Sequence, residues 1–198
     1  MSRLHKVLDI SLVVLGLILI AINIIGLFMK GFNNNNNNYI KATDHIYYSV
    51  GVNDEEVAEV QSYIDSLPQC IQKDFVGDGR GVVYLVDSLP DKIKGQAVAE
   101  DKAVYIVSGY ERDHLYHEFA HLYLHDNPFG DDFEKIYEEE AKQMITAYFG
   151  DEEYQYSNST EFYCTAWNIV FTLGGNDVYD VAPKTFEYFT NLFIELYQ

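Results

Sequence analysis

Apolar residues fall into three regimes along this chain of 198 residues. From Ile10 to Met29 twenty residues run with only Ser11 and Asn23 polar. At about 1.5 Å per residue, one helix of that length spans the roughly 30 Å hydrocarbon layer of a bilayer. Six asparagines, Asn33 to Asn38, follow; asparagine favours neither helix nor strand, so they read as a solvated tether. Beyond them the pattern becomes that of a folded domain. Asn53 and Asp54 form an N-cap ahead of Val57, Val60, Ile64 and Leu67 at helical spacing. Pro68 opens a short helix through Phe75, closed by Gly77 and Gly79. Gly81–Val86 and Val104–Val107 have strand composition, with a polar hairpin-like bend at Glu100–Lys102 before the second. Helices are predicted over Arg112–His125, Asp132–Phe149 and Thr160–Leu173, and a last one from Pro183 to the carboxyl end.

This order predicts an α+β fold, with a small mixed sheet and carboxyl-terminal helices, preceded by one transmembrane helix. The expected organisation is a cytoplasmic stretch 1–9, an anchor 10–29, an asparagine-rich linker 30–44 and a domain 45–198. A cleavable signal sequence would have a shorter apolar stretch, about 7–15 residues, and a small-residue cleavage site. No A-x-A pattern follows here. Arg3 and Lys6 before the run, against Lys30 after it, place the amino terminus in the cytoplasm. The expectation is a single-pass protein of the cell membrane with its folded part outside.

Charge narrows the partners. From residue 31 onward there are 10 Lys and Arg against 30 Asp and Glu. Such a surface repels nucleic acid and anionic headgroups, so no nucleic-acid partner is expected and the membrane is met through residues 10–29. Cys70 and Cys164 are the two cysteines. They can pair outside the cell, but Cys164 lies in an apolar helical run where a small buried side chain is the plainer explanation.

The chemistry sits in His117-Glu118-Phe119-Ala120-His121. Histidines four apart on a helix lie about 40° apart around it and roughly 6 Å along it, so both imidazoles can grip one divalent ion. Glu118 reaches toward the same ion without binding it, as suits the general base for a zinc-bound water. A catalytic zinc takes three protein ligands. A third histidine six residues on, with a glycine between, is excluded because Asn127 and Leu124 occupy those positions. A downstream carboxylate is the better candidate, and two settings offer one. Glu138-Glu139-Glu140 resembles a solvated helix face. Glu161 stands among Phe162, Tyr163 and Trp167, where a buried carboxylate needs a partner. His114 and His125 extend the histidine stripe, but the two ends of a straight helix cannot converge on one ion. Asn158-Ser159-Thr160 fits a glycosylation sequon and is read instead as a helix cap.

H-E-F-A-H, F-E-K-I-Y-E-E-E, Y-x6-E-F-Y-C-T-A-W and A-P-K-T-F together resemble the catalytic domain of anthrax lethal factor and the secreted pro-pro endopeptidases of clostridia, over about Tyr105–Tyr188. The resemblance implies a zincin-like metallopeptidase domain with Arg112–His125 as its active-site helix, one Zn2+ per chain held by His117, His121 and Glu161, Glu118 as base, and Tyr154 assisting the tetrahedral intermediate. A phenol suits that role because it donates a hydrogen bond to an oxyanion. With 17 tyrosines in the chain, Tyr156 is the fallback. Two departures stand out: Ala120 where the family often has glycine, and Cys164-Thr165-Ala166 where it often has a small-acidic-alanine step.

The expected function is a membrane-anchored zinc metalloendopeptidase acting on a peptide or protein bound in extended form. Val104–Val107 is expected to be the edge strand that pairs with it. A regulator-cleaving zinc peptidase using Glu139 or Glu140 as third ligand is one alternative. The other is a non-catalytic zinc-binding surface domain, for which an intact base has no use.

Overall fold

Val83, Leu85, Val104 and Ile106 are fully sealed from solvent, whereas Tyr84 and Tyr105 between them are only part-buried. That alternation makes one face of a sheet a core wall and leaves the other to tyrosine rings. Tyr84 and Tyr105 stack there at 4.8 Å, 13° from parallel.

The computed structural model describes residues 39–49, 51–77, 81–150, 157–173 and 176–197. The apolar segment 10–29, the asparagine tract, Tyr154 and Tyr156 lie outside the described residues. Among the described residues, no helix is long and apolar enough to cross a membrane.

The fold is mixed α+β, with one sheet and seven α-helices among the described residues. The strands are β1 (Ile40–Lys41), β2 (Ile46–Tyr48), β3 (Val82–Val86), β4 (Gly95–Val98) and β5 (Ala103–Val107). The helices are α1 (Asp54–Ser66), α2 (Gln69–Gly77), α3 (Glu111–Asp126), α4 (Asp131–Phe149), α5 (Ser159–Leu173), α6 (Asn176–Val181) and α7 (Pro183–Leu196). The sheet order is β1-β2-β3-β5-β4, with β2, β3 and β5 parallel and the two outer strands antiparallel. β1 falls within the 30–44 stretch.

One expectation is corrected. Val104–Val107 is not an edge: β5 pairs with β3 on one side and β4 on the other. The edge beside it is β4. The polar bend expected at Glu100–Lys102 is a 3-10 turn at Ala99–Asp101 that joins β4 to β5 as an antiparallel hairpin.

Local signals set the helix starts. Asn53 Oδ1 accepts from the backbone N–H groups of Glu55 and Glu56 at 2.9 and 3.0 Å, and Glu56 returns the bond to Asn53 N at 2.9 Å. This reciprocal box satisfies donors that a helix start leaves open. α3 lies between the sheet and α5, burying Leu115, Phe119 and Ala120. Behind α5 an aromatic cluster joins α4, α5 and α7. Tyr163 sits 4.9 Å from both Phe133 and Phe189, and Trp167 lies 5.0 Å from Phe193, all near edge-to-face.

Glu140 belongs to this packing. It is 8% exposed, and its carboxylate accepts from Lys184 N at 3.1 Å, Thr185 N at 2.8 Å and Thr185 Oγ1 at 2.9 Å. It therefore caps α7, where the open N–H groups of a helix start favour negative charge. Glu139 pairs with the Lys184 ammonium. Both cysteines are free thiols, Cys70 exposed and Cys164 buried.

Candidate metal centre

One helical turn separates His117 from His121 on α3, and their rings lie 4.8 Å apart at 68°. Their Nε2 atoms are 3.1 Å apart. α5 brings the third group. Asn158 Oδ1 accepts from Glu161 N at 2.9 Å, the cap anticipated for this segment, and so places Glu161 in the first turn. From there Glu161 Oε2 lies 3.4 Å from His117 Nε2, and Oε1 lies 3.7 Å from His121 Nε2.

These separations suit a small tetrahedral cation. Ligand atoms about 2.0–2.1 Å from zinc lie roughly 3.3 Å from one another. The Nε2–Nε2 separation of 3.1 Å and the His117 Nε2–Glu161 Oε2 separation of 3.4 Å lie on either side of that value, and the other carboxylate oxygen is 3.7 Å from His121 Nε2. Glu161 Oε2 is also sealed from solvent and makes no hydrogen bond. A buried carboxylate oxygen without a donor is costly, and a cation between it and the imidazoles removes the cost. The donor set fits zinc.

The protonation balance follows from burial and charge. Burial pushes the Glu161 carboxyl up, but the two imidazoles together outweigh it and hold it near about 2. Burial also lowers His117, more than Glu161 can raise it. At His121 burial acts downward too, yet Glu161 and Glu118 more than offset it, so the net direction is upward. His121 is thus the imidazole that more readily carries charge. His117 is the one that burial holds neutral, and metal binding would displace any proton from His121.

Thr165 Oγ1 lies 3.3 Å from His117 Nδ1. An Nδ1–H donated there leaves the Nε2 lone pair directed at Glu161. Cys164 is fully buried next to it, and it forms a second donor set with the two histidines, all three ligand atoms within 4.8 Å of one another. Burial drives the Cys164 thiol well above its ordinary pKa. To ligate, Cys164 would have to give up its proton to the metal, whereas Glu161 already presents an ionised oxygen to both imidazoles.

Glu118 is 7% exposed, and burial pushes its carboxyl up to about 7 against the pull of His121 and the Ala97 backbone N–H. It stands against β4 rather than among the three donors.

The structure thus brings together His117, His121, Glu161 and Glu118. Glu139 and Glu140 are engaged at the start of α7. His114 stacks on Tyr110, 6.0 Å between rings, and His125 is exposed at the opposite end of α3. Sequence reasoning missed Thr165 and Cys164 as neighbours of the histidines. Their spacing of four and three residues from Glu161, on the same helical face, was the available signal. β4 carried none.

No family model matches the chain, and no characterised protein matches it by sequence. Among solved structures the fold is similar to that of the pro-pro endopeptidase PPEP-2 from Paenibacillus alvei. The TM-score is 0.57 at 19% identity, covering 75% of this chain and 97% of that one.

Proposed function

We propose that this chain is a zinc metalloendopeptidase that holds one Zn2+ through His117, His121 and Glu161. The observation that carries the reading is the convergence of two imidazole nitrogens and a carboxylate whose buried Oε2 makes no hydrogen bond, with the buried Glu118 carboxyl beside them. Bound there, zinc supplies Lewis acidity, polarising a peptide carbonyl and acidifying water near neutral pH. Glu118 removes a proton from the attacking water and delivers it to the leaving amine. Tyr154, outside the described residues and seven positions before Glu161, is the proposed donor to the oxyanion, with Tyr156 as its alternative.

The edge strand β4 receives the substrate. In the β4–β5 ladder Val107 N bonds Lys94 O at 2.9 Å, so the alternate residues Gly95 and Ala97 turn their backbone groups toward the open edge. An extended peptide pairs with such groups. Residues 10–29 support single-pass anchoring, with this domain on the extracytoplasmic side.

Thr165 is the proposed support for His117. Thr165→Val is expected to weaken zinc binding about 10–100-fold, read by competition with a chromophoric chelator. Unchanged affinity would remove Thr165 from the centre.

The reading is tested by digesting a peptide library, Pro-Pro sequences included, with the full chain in detergent and following cleavage by mass spectrometry. Cleavage is expected, abolished by a zinc chelator and restored by added zinc. A chain that carries one zinc and cleaves nothing would refute the enzyme reading.

A further inference from the structure

We infer that Gly95 is a positioning residue for Glu118: the missing side chain at 95 is the space in which that carboxylate lies. The inference rests on Glu118 being the base. In the β4–β5 register Gly95 stands opposite Ile106 and Ala97 opposite Val104. Ile106 and Val104 point into the core, so a side chain at 95 points the same way, toward α3. A Cβ at Gly95 would lie 2.4 Å from Glu118 Oε1, 2.9 Å from Cγ and 3.0 Å from Cδ. Favourable contacts between carbon atoms begin at about 3.5 Å, so the methyl and the carboxylate cannot share this space. All three of the nearest atoms belong to Glu118.

Backbone conformation does not explain the glycine. The glycines with positive φ among the described residues are Gly51, Gly109 and Gly150, so alanine can adopt the backbone of Gly95. A glycine inside a strand weakens pairing and costs conformational entropy. β4 bears that cost at its position nearest the base. The next inward residue, Ala97, is also small. The strand supplies a slot that fixes Glu118 against the edge where a peptide pairs.

Gly95→Ala is expected to lower kcat about 100-fold, the scale of a 1 Å misplacement, with KM within threefold and zinc still one per chain. Glu118→Asp withdraws the carboxylate by one methylene and relieves the clash. In that slower background Gly95→Ala is expected to cost less than about threefold, a non-additivity that contact between the two positions requires. Thermal unfolding of the metal-free protein gives a reading independent of activity. Gly95→Ala should lower the Tm by about 3–6 °C when Glu118 is present and leave it level or raise it when Glu118 is alanine. Equal Tm changes in both backgrounds would overturn the inference whether or not the chain is a peptidase. Equal kcat losses in both backgrounds would overturn it in an active enzyme. A zinc-loaded wild type without peptidase activity would instead overturn the functional reading, leaving the Tm comparison to decide on Gly95.

Discussion

Glu118→Gln is expected to abolish peptide hydrolysis, by at least about 10³-fold, while zinc remains at one per chain and the metal-free protein becomes more stable above neutral pH. The activity loss follows from removing the only proposed proton acceptor beside the attacking water. The stability gain follows from burial. Glu118 is 7% exposed, and its carboxyl is pushed from an ordinary 4.5 up to about 7. A carboxyl raised on folding binds more protons native than unfolded, so its contribution is most favourable below 4.5 and is lost as pH rises through about 7. The full penalty at pH 8 is on the order of 3 kcal/mol, and glutamine carries none of it. Urea unfolding with chelator present, at pH 4.5 and pH 8, measures the difference between wild type and variant. It should widen toward pH 8. Retained hydrolysis would remove Glu118 as base, and a pH-independent difference would contradict its buried charge. A residue that destabilises the empty protein and is required for turnover is what a preorganised site demands.

The sequence made α3 and its motif legible because helical spacing maps directly onto a face, and His117 and His121 need nothing else to meet. Asn53 and Asn158 were legible as caps for the same reason: the bonds are local. The sheet was only half visible. β3 and β5 declare themselves through β-branched and aromatic residues, but such composition marks a strand without naming its neighbours, so β5 could be read as an edge although β3 and β4 flank it. The true edge reads Gly-Gln-Ala-Val, weak in strand formers, and it exists because β5 offers a partner. β1, β2 and α6 are too short for any period to register. The glutamate triplet misled in another way. Three carboxylates in a row look solvated, yet Glu140 is drawn inside because the turn through α6 sets the start of α7 above it. Long-range pairing of that kind leaves no local trace.

The third ligand is where the rival readings separate most sharply. Glu161→Gln should lower zinc affinity by more than about 100-fold, beyond the cost of losing a supporting hydrogen bond, because it removes the ionised donor facing both imidazoles. Glutamine keeps the shape and the α5 cap, so folding should survive. Cys164→Ser serves as the opposing test. If His117, His121 and Cys164 were the ligand set, that change would release the metal. With Glu161 as ligand, zinc should stay at one per chain, since the two imidazoles and that carboxylate already supply three donors. Glu140→Ala completes the comparison. It leaves Lys184 N, Thr185 N and the Thr185 hydroxyl without their acceptor, so it should destabilise the fold by about 1–3 kcal/mol without changing zinc stoichiometry. Metal analysis of the three purified variants decides the matter: zinc lost from Glu161→Gln alone supports the centre proposed here. Zinc lost from Cys164→Ser or Glu140→Ala, with Glu161→Gln unaffected, would transfer the third ligand to that residue and leave the orphaned Glu161 oxygen without its explanation.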